Sequence, residues 1–331
     1  MEPLCANPVG LLRKVVAHGD FVRFPLGETI CYLINRPTHV GLVLVENSHR
    51  LRKPPFLLRS NQGHWGDGLT TLDGVPWRER RALLRPAFRA RTLPRHLHVT
   101  AACTEEMLAT LRLGTTVRLR TALRTLVARI AARTLFDAEL EGFGTAEENR
   151  QRAGIIPFEE AFGEDFTAAV DDDPPDLLSL TRPRAPRRME STLELIDARI
   201  RSGEDRGDML SFLLAAPLAD GSRLSREEIA GELIQMLYSG HLTIPLTLSN
   251  FWYALWASPA AAHRVHDEAT RQPQAFPSTE GRLPSYCESA LKETMRMFPP
   301  APILYREVAT SFEVGEHTLE EGAAVWISPQ L

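Results

Sequence analysis

The sequence predicts a mainly α-helical protein with a small β-sheet region. Three observations support this fold class: an alternating stretch near the N-terminus, a series of helical patterns through the middle of the chain, and a second alternating stretch near its end. The 331 residues are 44% hydrophobic and 24% charged, which is the composition of an ordinary globular protein with a large core.

The N-terminal stretch 19–45 is rich in β-branched and aromatic residues. Phe21–Phe24 and Thr29–Ile34 are separated by a Pro-Leu-Gly turn, which predicts a β-hairpin. A short helix is expected over residues 38–46. Residues 52–73 contain many Gly, Pro, Asn and Asp residues and predict a long irregular loop, and loops of this length in compact domains usually have a function.

Helical patterns occupy most of the remaining sequence. Ser225 and Glu228 form a capping box at the start of a long helix that continues to Trp256. This helix is apolar on most sides after Leu233, which predicts a central, buried position. Residues 312–325 alternate again and predict a second hairpin. The other predicted helices cover residues 77–89, 100–113, 119–136, 189–201, 208–216 and 259–270 and the segment around Glu293.

Charge and cysteine content argue against several classes of protein. A net charge of −4 and a pI near 6.2 disfavour general nucleic-acid binding. The spacing of Cys5, Cys31, Cys103 and Cys287 matches no metal-binding pattern and predicts free thiols in a reducing cytosol. No apolar run reaches the ~18 residues needed to span a bilayer, and the N-terminus shows no signal pattern. We therefore expect a cytoplasmic protein without a membrane anchor.

Two helical motifs carry polar groups that suggest a binding site. Trp77 and Arg81 lie four residues apart, so an indole N–H and a guanidinium can reach one anionic ligand from the same helix face. The alternative is a tryptophan packed on a basic surface helix. Within the long apolar helix, Gly240 permits close approach of a neighbour, and Pro245 leaves the carbonyl of His241 without its helical partner, which predicts a kink or widening. The alternative is a packing glycine with an ordinary proline kink.

A third motif lies near the end of the chain. Glu293 and Arg296 are three residues apart on one helix face, and a proline pair and Arg306 follow them. Most such pairs are exposed salt bridges that contribute little stability. Inside a core, however, neither partner could remain unpaired without a large cost.

Together, the three motifs resemble those of the cytochrome P-450 family. The run from Ala290 to Arg306 is similar to the K-helix region of that family, residues 239–243 to its I-helix, and residues 77–81 to its C-helix. The resemblance spans nearly the whole chain, with the motifs in the family's order. It implies a single, partial P-450 domain over residues 1–331. For the complete protein it implies the cofactor heme b (iron protoporphyrin) and a heme-thiolate monooxygenase that inserts one atom of dioxygen into an apolar small-molecule substrate.

The resemblance also implies a role for each motif residue. Trp77, Arg81 and Arg306 match the positions that bind the heme propionates. Glu293 and Arg296 match a structural pair that locks its helix to the segment near the heme cysteine.

Thr243 matches the threonine that steadies the bound dioxygen and helps to deliver protons, with Gly240 and His241 beside it in the same segment. This sequence departs from the family at Leu242, where an Asp or Glu usually relays protons. Histidine titrates near neutrality, so His241 is a candidate substitute. We hypothesise slow or uncoupled turnover, or another relay.

The family's thiolate ligand would lie after the K-helix region, and no cysteine follows Cys287. This predicts a chain truncated before the heme-cysteine loop, with no axial metal ligand, poor heme retention and no activity of its own. Two alternatives remain open: a non-catalytic pseudoenzyme or binding protein, and a peroxide-driven or isomerising enzyme.

A ferredoxin-type or flavoprotein electron donor is the implied partner. Four arginines on or near the Trp77 helix suggest a basic patch for an acidic donor, although a plain solvated face is the alternative. They are Arg78, Arg80, Arg85 and Arg89.

Overall fold

The computed structural model describes residues 8–55, 58, 66–89, 93–138, 140–141, 156–157, 186–271 and 285–331, and it confirms the predicted fold class. The helices are α1 Pro8–Val16, α2 Pro37–Gly41, α3 Gly74–Leu84, α4 Leu93–Thr110, α5 Leu119–Phe136, α6 Pro186–Ser202, α7 Met209–Ala215, α8 Arg226–Ala257, α9 Pro259–Arg271 and α10 Ser285–Met297. The strands are β1 Phe21–Leu26, β2 Thr29–Ile34, β3 Leu51–Arg52, β4 Leu140–Glu141, β5 Ile156–Pro157, β6 Leu304–Val308, β7 Phe312–Val314, β8 His317–Leu319 and β9 Ala324–Ile327.

Five strands from both ends of the chain form one sheet, in the order β1-β2-β9-β6-β3. The predicted N-terminal hairpin is confirmed, with Phe21 opposite Ile34 and Gly27 in the left-handed region at a φ of 62°. β9 then pairs in parallel with β2, with Cys31 opposite Ala324. The last alternating stretch is therefore not one hairpin as predicted: β7 and β8 form a small hairpin, and β9 joins the main sheet.

The Trp77 helix differs from its prediction at both ends. It begins at Gly74, because the chain turns into the helix directly after the extended residue Asp73. It ends at Leu84, and a 3-10 turn over Arg85–Phe88 follows, because Pro86 cannot supply the N–H of a continuing α-helix. By contrast, α5 has the predicted bounds of residues 119–136.

The long helix α8 opens at the predicted capping box. The hydroxyl of Ser225 accepts a hydrogen bond from the Glu228 N–H at 3.2 Å, and the Glu228 carboxylate accepts the Ser225 N–H at 2.8 Å. The helix runs through Pro245 as one α-helix. It packs against α5, α6 and α10 and forms the centre of the helical region.

One side of α8 stays buried as far as Phe251 and Leu255, but the second half of the helix also has a widely exposed side, which corrects the prediction of a helix buried on most sides up to Trp256. Leu233 is fully buried, whereas Trp252, Tyr253 and Trp256 are 53%, 56% and 77% exposed. The helix has 32 residues and so a length of about 48 Å. Among the described helices, none has the length and apolarity that a membrane span requires.

Candidate functional site

Positive charges converge on Trp77 at the start of α3. The guanidinium carbon of Arg81 lies 5.2 Å from the centre of the Trp77 ring system, and the ammonium of Lys53 lies 5.7 Å from it. A cation over an aromatic face is a favourable contact. The predicted neighbours Trp77 and Arg81 therefore do share one site, together with a lysine that the sequence analysis did not select.

Arg306 is connected to this site through its electrostatic effect on Lys53. Burial lowers the pKa of Lys53 to about 8; the carboxylate of Asp73 opposes this shift, and the nearby charge of Arg306 adds to it. Arg306 lies on β6, in the main sheet, and its guanidinium donates a hydrogen bond to the Tyr305 carbonyl at 2.7 Å. Lys53 is one of only three lysines in a chain with 38 basic residues, and this rarity is the signal that could have drawn attention to it.

The site has an excess of positive charge that suits a carboxylate ligand. In the described part of the chain, neither Arg81 nor Arg306 forms an ion pair. Uncompensated guanidinium groups recognise carboxylates through paired, charge-assisted hydrogen bonds. Heme carries two propionate carboxylates, so Trp77, Arg81 and Arg306 have the donors that such a group requires.

Arg80, the next residue along α3, does not belong to the surface patch proposed for the electron donor. It is 5% exposed and donates to Glu232 at 2.8 Å and to Glu228 at 2.7 Å, both on α8. Burial raises the pKa of Glu232, and the charge of Arg80 acts against that shift. The prediction was wrong for Arg80 because a helix with charges on every side must turn one of them towards the core.

The segment of α8 that contains Gly240, His241 and Thr243 presents two different faces. Thr243 is exposed, and its hydroxyl donates to the Ser239 carbonyl at 2.9 Å. Two residues earlier, at a helical angle of about 200°, His241 is 1% exposed. Burial, with a smaller contribution from the charge of Arg124 on α5, lowers the pKa of His241 to about 3.

His241 is consequently a neutral side chain on the face opposite to Thr243, which weighs against the idea that it relays protons to that threonine. Gly240 has open space beside it, since an added Cβ would meet only the Ile244 Cδ1 atom at 4.0 Å. The catalytic roles of Thr243, Gly240 and His241 stay predictions.

Glu293 and Arg296 form the expected pair on α10. The Arg296 guanidinium donates to the Glu293 carboxylate at 2.8 and 2.6 Å, and this contact lowers the pKa of Glu293. The two side chains are 54% and 67% exposed. α10 packs against α8, but the bracing role of the pair stays a prediction.

The described cysteines are poor thiolate candidates. Cys31 and Cys103 are buried and Cys287 is half-buried. Burial raises the pKa of all three thiols, that of Cys31 to about 11. Their neutral forms therefore predominate near pH 7. Cys5 lies outside the described residues.

Comparison with known proteins identifies the family. A model of the family Cytochrome P450 matches residues 12–331. Cyclooctat-9-en-7-ol 5-monooxygenase of Streptomyces melanosporofaciens is 28% identical over 331 aligned residues, which cover 99% of this chain and 72% of the relative. Pentalenene oxygenase of Streptomyces avermitilis is 27% identical, with 98% and 72% covered.

A solved structure supports the same fold. Retinoic acid-bound cyanobacterial CYP120A1 matches with a TM-score of 0.75 at 21% identity, and the match covers 98% of this chain and 73% of that structure. The family implies heme as cofactor, and the names of the relatives are those of oxygenases. On the family match across nearly its whole length and on its fold, the chain belongs to the cytochrome P450 family of oxidoreductases.

Proposed function

We propose that this protein is a heme monooxygenase for an apolar small-molecule substrate. The observation that carries the proposal is a group of cations: Arg81 and Lys53 lie at the Trp77 ring, and the charge of Arg306 acts on Lys53. Within the described residues, neither arginine forms an ion pair. When bound, heme supplies the chemistry that activates dioxygen so that one oxygen atom can enter the substrate. The protein's contribution is to bind and orient that group.

Each residue of the cluster has a distinct task in this proposal. The Trp77 indole N–H would donate one hydrogen bond to a propionate, and Arg81 and Arg306 would donate through their planar guanidinium groups. Lys53 contributes charge but has its ammonium hydrogens directed to backbone carbonyls, so it supports the site and does not replace an arginine.

We propose that the Thr243 hydroxyl group holds a proton near the place where dioxygen would bind. Its hydroxyl proton is directed to the Ser239 carbonyl, on the exposed face of α8. Leu242 has no titratable group, and His241 is neutral and buried, so the neighbouring side chains add no proton donor. The apolar substrate class is proposed from the relatives, whose names identify oxygenases of pentalenene and cyclooctat-9-en-7-ol.

Hemin titration of the protein tests the carboxylate-binding role. Arg81→Gln removes a charged donor, and charge-assisted hydrogen bonds contribute about 1.5–3 kcal/mol, so we expect hemin affinity to fall by about tenfold or more. Arg78→Gln is the matched control, because Arg78 is an exposed arginine on the same helix outside the cluster. Equal hemin affinities for the two variants would contradict the proposal.

A second candidate function, peroxide-driven or isomerising chemistry, is favoured by Leu242 alone. If the usual monooxygenase route is used, Leu242→Glu in a full-length, heme-loaded enzyme with its electron donor should raise the product formed per reductant consumed. Leu242→Gln has a similar shape without a titratable carboxyl group and is the control. An unchanged ratio, together with faster turnover on hydrogen peroxide than on the donor, would favour the second candidate.

We also infer that none of the three described cysteines supplies a thiolate to the heme iron, because all three have raised pKa values and two are buried in the core. A carbon monoxide difference spectrum of the reduced, heme-loaded chain checks this. We expect no thiolate-type band, and a strong one would disprove the inference.

A further inference from the structure

We propose that Gln235 on α8 is a positioning residue that holds the loop 66–73 and, through it, sets the place of Trp77 and Arg81. The claim that Gln235 fixes the position of this loop is based on hydrogen bonds and packing contacts within the chain. Its consequence for cofactor binding rests on the proposed function above.

The side-chain amide of Gln235 is fully used by this loop. Its oxygen accepts the Thr70 N–H at 2.8 Å and the Thr70 hydroxyl at 2.6 Å. Its nitrogen donates to the Gly66 carbonyl at 3.0 Å and to the Thr71 hydroxyl at 3.0 Å. Gln235 is only 2% exposed, so water cannot replace these bonds when they are lost.

Two glycines let the loop and the helix approach this closely. A Cβ added to Gly231 would lie 2.1 Å from the Asp67 carbonyl oxygen, which is far inside contact distance. A Cβ added to Gly68 would lie 2.7 Å from the Gln235 amide nitrogen. Backbone and side chain therefore touch directly on this side of the loop, and the contact is specific to small residues at both positions.

Lys53 holds the other side of the same loop. Its ammonium donates to the carbonyls of Leu69 at 2.7 Å and Leu72 at 2.6 Å, and its backbone N–H donates to the Asp73 carboxylate at 3.0 Å. Asp73 is the N-cap residue of α3, so the loop held by Gln235 and Lys53 ends directly at the helix that carries Trp77.

These contacts form a continuous connection between α8 and the cation cluster. Gln235 and Thr243 are eight residues apart on α8, which places them about two turns from each other along the helix and about 80° apart around its axis. The loop thus ties the carboxylate-binding end of α3 to the helix with the predicted oxygen-side threonine. Loss of the Gln235 contacts should leave α3 folded but its first turn less well placed.

The test compares three variants of the chain. Gln235→Met has a similar length but none of the hydrogen bonds, and we expect exchange of the Thr70 amide hydrogen to accelerate at least tenfold in the cofactor-free protein. We expect hemin affinity to fall several-fold as well. Gln235→Glu keeps the acceptor for Thr70 and should retain part of its protection. Met236→Leu, the neighbouring partly buried residue, is the control and should change neither measurement.

Each outcome decides the proposal. Unchanged Thr70 exchange in Gln235→Met overturns it. Faster exchange with unchanged hemin affinity also overturns it, provided that Arg81→Gln weakens hemin binding and the proposed function stands. If Arg81→Gln has no effect either, the proposed function fails and the positioning role fails with it. Should Gln235→Met not fold, Thr70→Val removes one of the same bonds from the loop side and is expected to weaken hemin binding in the same direction.

Discussion

At the level of single residues, the buried ion pair between Arg80 and Glu232 is the strongest polar constraint on this site. We expect Arg80→Met to destabilise the protein by about 3–5 kcal/mol, because it leaves the Glu232 carboxylate buried without its charge partner. The double variant with Glu232→Leu should recover most of this loss. Urea unfolding of the two variants measures these differences, and Arg78→Met, on the exposed side of α3, is the control. A loss no larger than the control's would show that the pair contributes little.

His241 should make the protein sensitive to acid. Its pKa is about 3 in the folded protein and about 6.5 in an unfolded chain, so between these values only the unfolded chain binds the proton. Stability is therefore expected to fall as the pH falls through this window, by up to about 1.4 kcal/mol per pH unit. His241→Leu removes the titration, so its unfolding midpoint should change less between neutral and mildly acidic pH. Parallel pH profiles for the two proteins would contradict this assignment.

At the level of elements, α8 contains two glycines with opposite surroundings. Gly231 packs against the Asp67 backbone, so Gly231→Ala must displace the loop and should destabilise the protein. Gly240 faces open space, so Gly240→Ala should stabilise the helix by about 0.5–1 kcal/mol. Thermal unfolding of the cofactor-free protein separates the two. Stabilisation by Gly231→Ala would disprove the close contact seen between helix and loop.

Elements with strong local signals could be predicted from the sequence. The start of α8 was predicted because Ser225 and Glu228 carry their own capping bonds, and α5 because its apolar residues repeat at helical spacing. The start of α3 was misplaced, because the side chain of Asp73 does not cap the helix but accepts the Lys53 N–H. That bond joins residues 20 positions apart, and no local pattern indicates it.

At the level of the whole molecule, docking of an acidic electron donor on the arginines of α3 and the turn after it stays a prediction. Arg78, Arg85 and Arg89 are exposed, as is Phe88, whose exposed fraction is 63%. We expect Arg85→Glu to slow reduction of the heme-loaded enzyme by an acidic ferredoxin by about tenfold at low ionic strength, with a smaller difference at high salt. Arg201→Glu, on α6, is the control for a general change of charge. Equal slowing by both variants would exclude a specific docking face.

The sequence by itself determined the family, the helical character and the main members of the cation cluster. These depend on short spacings, such as the four residues between Trp77 and Arg81, that one helix presents on one face. Only the tertiary structure decided that Arg80 is buried, that His241 and Thr243 lie on opposite faces, and that Lys53 and Gln235 hold one loop. Gln235 and Thr70 are 165 residues apart. Which polar groups meet across such a distance is decided by how the elements pack, because a buried hydrogen bond forms only where packing excludes water and brings both partners together.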